Sequence, residues 1–353
     1  MLKKLSKQKI SDIITYGIVL VAFIVMQILI NAGQISSLFE GLMVPLCTYI
    51  ILAISLNLVV GVLGELSLGH AGFMCVGAFT SAFFSKCMQD TITNSIVRFL
   101  IALLIGIVVA AIFGLLIGIP VLRLNGDYLA IVTLAFGEII KNIVNVLFIG
   151  KDSKGFHFST KDVMALNMEP DGKVIVNGPQ GITGAPKDAT FFIGFILVLI
   201  TLFIVLNLIH SRDGRAIMAI RDNRIAAESI GINITKYKLM TFTISAAMAG
   251  AAGVLYGHNL SNLTANTNNF GYNMSINILV FVVLGGIGNI RGSIISAVVL
   301  TILPELLRGL SDYRMLIYAI VLIVMMLFNW APKAIEWREK YLSFKKNKKE
   351  AVK

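Results

Sequence analysis

Charge is what this sequence has least of. Only 14% of its 353 residues are Asp, Glu, Lys or Arg, where soluble globular domains average about 25%. A soluble chain of this length needs polar faces on most of its elements, and there are too few polar stretches to supply them. Cysteine is also scarce. Cys47, Cys75 and Cys87 are far apart, show no metal-ligand spacing, and cannot all pair within one chain; they read as small buried hydrophobes. No His/Cys/Asp/Glu cluster has the spacing of a metal site. The four histidines at 70, 157, 210 and 258 are isolated, so no Ser-His-Asp arrangement can be nominated. The phosphate-cradling pattern G-x-x-x-x-G-K-S/T is missing, so the chain is not expected to hydrolyse ATP itself.

What the sequence does contain is apolar residues, 57% of the total, with a mean hydropathy of +0.84 spread over the whole length. A bilayer crossing takes about 20 apolar residues. Candidate spans lie at roughly 13–31, 41–62, 68–85, 98–119, 128–149, 191–209, 239–257, 274–290, 293–307 and 315–330. The fold class expected is all-α: a polytopic bundle of about ten transmembrane helices. The run from Ile13 to Ile30 is long enough to span, and no A-x-A-like cleavage site follows it, so it reads as a retained first helix. Several spans are short, and residues 58–80 are rich in glycine, which permits a broken or re-entrant helix there.

Basic residues flank these spans. Four Lys lie in the first ten residues, and eight Lys/Arg against three Asp/Glu lie in 331–353. By the positive-inside rule both termini are cytoplasmic, with anionic lipid rather than nucleic acid as the partner of the +11 net charge. The same count puts 210–238 inside, with six Lys/Arg against three Asp/Glu, and puts the neutral 150–190 loop outside. Arg308 and Arg314 fall on the outer side and disagree. The organisation expected is a basic N-terminus (1–12), a transmembrane domain (13–330) and a basic cytoplasmic tail (331–353). VVGVLGELSLG (59–69) and VVLGGIGNIRG (282–292) echo one another; a true internal repeat and a chance likeness between glycine turns both remain open.

The loop SRDGRAIMAIRDNRIAAESIGINITKYK (211–238) reads as two short helices, 215–221 and 224–230. Asp222 or Asn223 breaks the first and caps the second, and Gly231 suits the left-handed position that closes a helix. Ile217 and Ile220, and then Ala226, Ala227 and Ile230, form small apolar faces. Such a unit either docks into a partner's groove or rests on the headgroups.

The loop resembles the ATPase-contacting loop of bacterial ABC importers, whose pattern is Glu-Ala-Ala, three residues, then Gly. Ala226, Ala227 and Gly231 keep that register, while Ile225 stands where Glu is usual. The fuller string AIRDNRIAAESIGINITKYKL is similar to the branched-chain amino-acid permease family of the LivM type. So are LNLVVGVLGELSLGHAGF (56–73), RLNGDYLAIVTLAFGEI (123–139), GPQGITGAP (178–186) and VLGGIGNIRGSIISA (283–297). The resemblance implies an importer permease in the bacterial plasma (inner) membrane. Its partners would be a second permease, two cytoplasmic ATPases that bind ATP and Mg, and an external substrate-binding protein. The chain itself would carry no cofactor. In this reading Arg215, Arg221, Asp222, Arg224 and Glu228 make polar contacts with the ATPase, and Ala226, Ala227 and Gly231 form the packing surface. Other solutes for the same machinery (a sugar, a nucleoside, an amide), an ion-coupled secondary transporter and a membrane enzyme are the alternatives.

Further polar residues sit in apolar surroundings. Glu65, Ser67, Gly69 and His70 lie in a glycine-rich stretch where unwound backbone suits a zwitterionic amino acid; a packing role is the competing reading. Glu138 either lines the path or pairs with Lys141, three residues on. Asp127 reads as a helix N-terminal carboxylate. GPQGITGAP reads as a rigid turn, either structural or facing the binding protein, and Asn262, Asn266, Asn268 and Asn269 as solvating an outer loop.

Overall fold

The structure, a computed structural model, describes residues 7–33, 36–122, 127–170, 172–310 and 313–330. Helix α1 (Lys7–Asn31) precedes α2 (Ser37–Asn57), which continues as a π-helical turn (Leu58–Leu63). Residues 64–69 are not helical, and α3 (His70–Cys87) follows, then α4 (Ser95–Val121) and α5 (Asp127–Val146). Strands β1 (Phe148–Asp152), β2 (Gly155–Ser159), β3 (Lys173–Asn177) and β4 (Ile182–Thr183) come next. Helices α6 (Phe191–His210), α7 (Arg212–Asp222), α8 (Arg224–Ser229) and α9 (Ile234–Gly257) lead to β5 (Asn262–Leu263). The chain closes with α10 (Thr267–Phe270), α11 (Tyr272–Gly285), α12 (Ile290–Leu306) and α13 (Arg314–Trp330).

A helix has formed in each of the ten apolar runs. Six are long and apolar enough to cross a membrane, covering 12–31, 37–63, 95–121, 128–146, 191–210 and 234–257. The helices α3, α11, α12 and α13 have 18 residues or fewer. The outward faces of α4 and α6 carry exposed Leu104, Val108, Ile200 and Phe203, and an apolar outside of this kind faces lipid or a membrane partner, not water. The protein is a multi-pass helical membrane protein.

The inner layer is α2, α3 and α9. Hydrophobicity cannot drive helix association inside lipid, so close backbone approach does much of the work. A Cβ on Gly77 would overlap the Gly250 carbonyl, and one on Gly253 would overlap the Met74 carbonyl. Glycine at these crossings lets α3 and α9 touch along their length. Helix α1 stands at the margin, stacked through Phe23 on Phe195 with ring centroids 3.8 Å apart.

The all-α expectation fails in the 150–190 loop. A three-stranded antiparallel sheet forms there in the order β2-β1-β3, and β4 pairs with β5. The β1–β2 turn is local chemistry: the Asp152 carboxylate accepts from the Lys154 and Gly155 amides, and Gly155 takes φ +139°. The loop is anchored to the bundle by the Arg98–Asp188 ion pair at 2.7 Å and by Lys86 donating to the Gly184 carbonyl. The first six residues, 123–126 and the tail 331–353 lie outside the described residues, as does the side chain of Asp127.

Candidate functional site

At the bundle end opposite the sheet, the loop of 211–238 folds as read. Asn223 caps α8 by accepting from the Ala226 amide, Ser211 caps α7 by accepting from the Gly214 amide, and Gly231 is left-handed with φ +85°. Its two apolar faces separate. Ile217 and Ile220 are buried, and Ala227, Ile220 and Ile234 form a small cluster of their own. Ala227, 2% exposed, is therefore core of the loop and not part of a surface offered to a partner. What faces outward is Ala226, with Ile225 at 78% and Ile230 at 76% exposure. Arg215, Arg224 and Glu228 are exposed beside them.

Arg221 turns toward the bundle, and Asp222 stays exposed beside it. The Arg221 guanidinium donates to Asp222 Oδ1 and also, at 2.9 Å, to the Gly61 carbonyl in the π-helical turn. A π-turn leaves carbonyls without their usual i+4 partner and is frequent at functional sites. On its other flank the turn meets the 286–288 glycine loop: Asn57 Oδ1 accepts from the Gly288 amide and Asn57 Nδ2 donates to Ser293 Oγ, both at 2.8 Å. The two glycine-rich segments whose sequences echo each other thus lie in contact.

Past the π-turn, residues 64–69 are unwound, as the glycine content suggested. Glu65 is ion-paired with Lys238 at the start of α9. The freed backbone is satisfied by side chains: Leu68 N–H donates to Thr133 Oγ1 at 3.0 Å and Ala71 N–H to Ser275 Oγ at 3.3 Å. Gly69 packs on the Thr133 carbonyl so closely that a Cβ would collide with it. His70 sits at the start of α3, 1% exposed, with Nε2 2.9 Å from Ser245 Oγ. The Ser245 hydroxyl proton is committed to the Ser55 carbonyl, so His70 Nε2 must be the donor. That leaves Nδ1 as an acceptor, and among the described residues it has no partner; neither has buried Ser67 Oγ.

Glu138 is not with this group. Its carboxylate accepts from Lys141 Nζ at 2.5 Å and from the Tyr272 amide at 2.8 Å, while Lys141 also donates to Thr267 Oγ1. It therefore caps α11 and ties α5 to it. Of the two readings of Glu138, the pairing is the one its geometry displays. GPQGITGAP forms a structural turn whose β4 pairs with β5. Asn266 caps α10 by accepting from the Asn269 amide, so it does more than solvate its loop. Asn57 and Lys238 went unnoticed in the sequence; a lone Asn inside the run ISLNLVV was the available signal for the first.

Residues 37–328 match the family described as branched-chain amino acid transport system / permease component. The chain belongs to that family. It is 35% identical over 296 residues to the high-affinity branched-chain amino acid transport system permease protein LivM of Salmonella typhimurium, and equally to that of Escherichia coli. Those alignments cover 81% of this chain and 67% of each relative. The fructose import permease protein FruG of Bifidobacterium longum is 26% identical over 344 residues, 94% of both chains. No solved structure matches. As an ABC importer permease the chain is a transport subunit, and the family match takes in the π-turn, the unwound segment and the α7–α8 loop alike.

Proposed function

We propose that this permease translocates branched-chain or related amino acids, delivered by an external binding protein and driven by partner ATPases. The observation that carries the reading is the α7–α8 loop, which presents Ile225, Ala226 and Ile230 outward while Arg221 grips the π-turn. ATPase closure against α8 would press on the loop. Arg221 and the Lys238–Glu65 pair would pass that push to the π-turn and to 64–69, and Asn57 would pass it to the α11–α12 turn. In this reading the ten helices cross the bilayer with both termini and α7–α8 on the cytoplasmic side, the sheet faces outward, and a second permease completes the path. Glu65, Ser67, Gly69 and His70 line it; the free lone pair on His70 Nδ1 and the Ser67 hydroxyl suit an ammonium and a carboxylate.

The test is co-purification of the ATPases with wild-type permease and with Ala226→Asp plus Ile230→Asp. Both positions are exposed, so the chain itself should tolerate the charges, while desolvating them at a packed contact costs several kcal/mol. Loss of the ATPases from an inserted mutant is expected. Unchanged binding would remove the coupling role from α8. The FruG relative favours a sugar as the second reading; ligand binding to the cognate external protein decides between them. Uptake by this chain alone, dependent on Na⁺ or H⁺, would replace both with a secondary transporter.

A further inference from the structure

Beneath the sheet, α3, α4 and α5 enclose an open groove of about 500 Å³, with Phe83, Cys87, Val109, Val144, Ile149 and Phe156 among its walls. Its side chains are apolar apart from Thr80, whose hydroxyl is spent on the Val76 carbonyl at 2.7 Å. The groove adjoins the lipid-facing surface, where Leu104 and Val108 of α4 and Ile143 and Val146 of α5 are exposed.

The roof of the groove has one further feature. Residues directly opposite in paired strands share a face. Ile149 and Lys151 of β1 stand opposite Phe158 and Phe156 of β2, so Lys151 belongs to the face that looks onto the groove. Its ammonium lies 5.7 Å from the centroid of the Phe156 ring, and Phe156 meets Phe83 in the groove wall at 5.9 Å. The nearby carboxylates are taken: Asp152 by His157, on the other face, Glu169 by Lys154, and Asp90 by Lys173. Among the described residues Lys151 makes no ion pair. An apolar slot in a lipid-facing wall, with aromatic rings and a free cation at its lip, has the layout of a phospholipid: chain below, phosphate at the interface.

We propose that this groove is a phospholipid site, holding an acyl chain between α3, α4 and α5 with the phosphate on Lys151. Cys87 lies in its wall and is half-buried, whereas Cys47 and Cys75 are buried, so it reports occupancy. The complete transporter, stripped of lipid, would be treated with N-ethylmaleimide while phosphatidylglycerol is titrated in, with native mass spectrometry counting retained lipid. Cys87 modification should slow several-fold as one phospholipid binds per chain. Glycerol phosphate, which has no chains, should leave the rate unchanged. Lys151→Gln should shift the titration to higher lipid, and Lys151→Arg should restore it. A rate insensitive to lipid, or a Lys151→Gln titration identical to wild type, overturns the proposal. Cys87 already shielded in the lipid-free complex and cross-linking to the second permease would make the groove a protein interface instead.

Discussion

Arg221, at the end of α7, donates a hydrogen bond to the carbonyl of Gly61, 160 positions earlier in the chain. The pair joins the surface loop to a π-turn in the bundle, and Gly64 is kept free of a side chain beside it, where a Cβ would strike the Arg221 stem. A hydrogen bond from a charged donor is worth about 1.5–3 kcal/mol. Arg221→Ala should leave ATPase binding intact, since Ile225, Ala226 and Ile230 are untouched, and lower uptake per ATP hydrolysed roughly tenfold, as about 1.4 kcal/mol of coupling would. Proteoliposome uptake and ATP hydrolysis measured on the same sample check this. A full loss of ATPase binding would make Arg221 part of the docking surface.

Much of this arrangement was legible in the sequence because local rules govern it. Hydropathy located the ten helices, the glycines of 58–80 announced the unwound segment, and Asn223 and Gly231 marked the turn and the end of α8. The rest depends on pairings far apart in the chain. Lys238 reads as a cytoplasmic charge until the fold sets it against Glu65, and Ala226 and Ala227 are equivalent by composition until Ile220 and Ile234 claim one of them. The sheet stayed hidden because its alternation, as in Gly-Phe-His-Phe-Ser, is short and flanked by loop residues, and closes only through β3, fourteen residues beyond β2.

Glu138 and Lys141 should prove to be stability residues. Leaving one member of a shielded pair without its partner costs about 3–5 kcal/mol, and Glu138 also holds the first amide of α11. Glu138→Ala should lower the melting temperature of the detergent-purified complex markedly, and Glu138→Gln should recover part of the loss because its carbonyl still accepts from Tyr272. The Michaelis constant for uptake should be unchanged in whatever fraction folds. A raised constant with normal thermal stability would return Glu138 to the translocation path.

The α3–α9 crossing makes a sharper steric prediction. Even a methyl group at Gly253 overlaps the Met74 carbonyl, so Gly253→Ala must push two helices apart, at about 1–3 kcal/mol. Gly17 in α1 has no atom within 4 Å of an added Cβ, and Gly17→Ala should be neutral or slightly stabilising. Thermal unfolding of the two variants side by side tests the packing, and equal stability would contradict it.

Asp152 sets the acid limit of the sheet. Burial pushes its carboxyl pKa up, but hydrogen bonds from the Glu169 and Lys154 amides, from His157 and from the Gly155 amide outweigh that and hold it below the usual carboxylate range. A carboxyl depressed by folding stabilises the fold at every pH above its unfolded value, about 3.9, and that contribution drains away as the pH falls through the folded value. Amide exchange at Lys154, Gly155 and Glu169, corrected for intrinsic rate, should stay constant from pH 7 to about pH 5 and quicken below about pH 4. Asp152→Asn carries no charge to lose but still offers an oxygen to the Lys154 and Gly155 amides. Its exchange should therefore be moderately faster than wild type at pH 7 and nearly independent of pH. Protection in that variant equal to wild type at pH 7 would show that the β1–β2 turn is held by the strands alone.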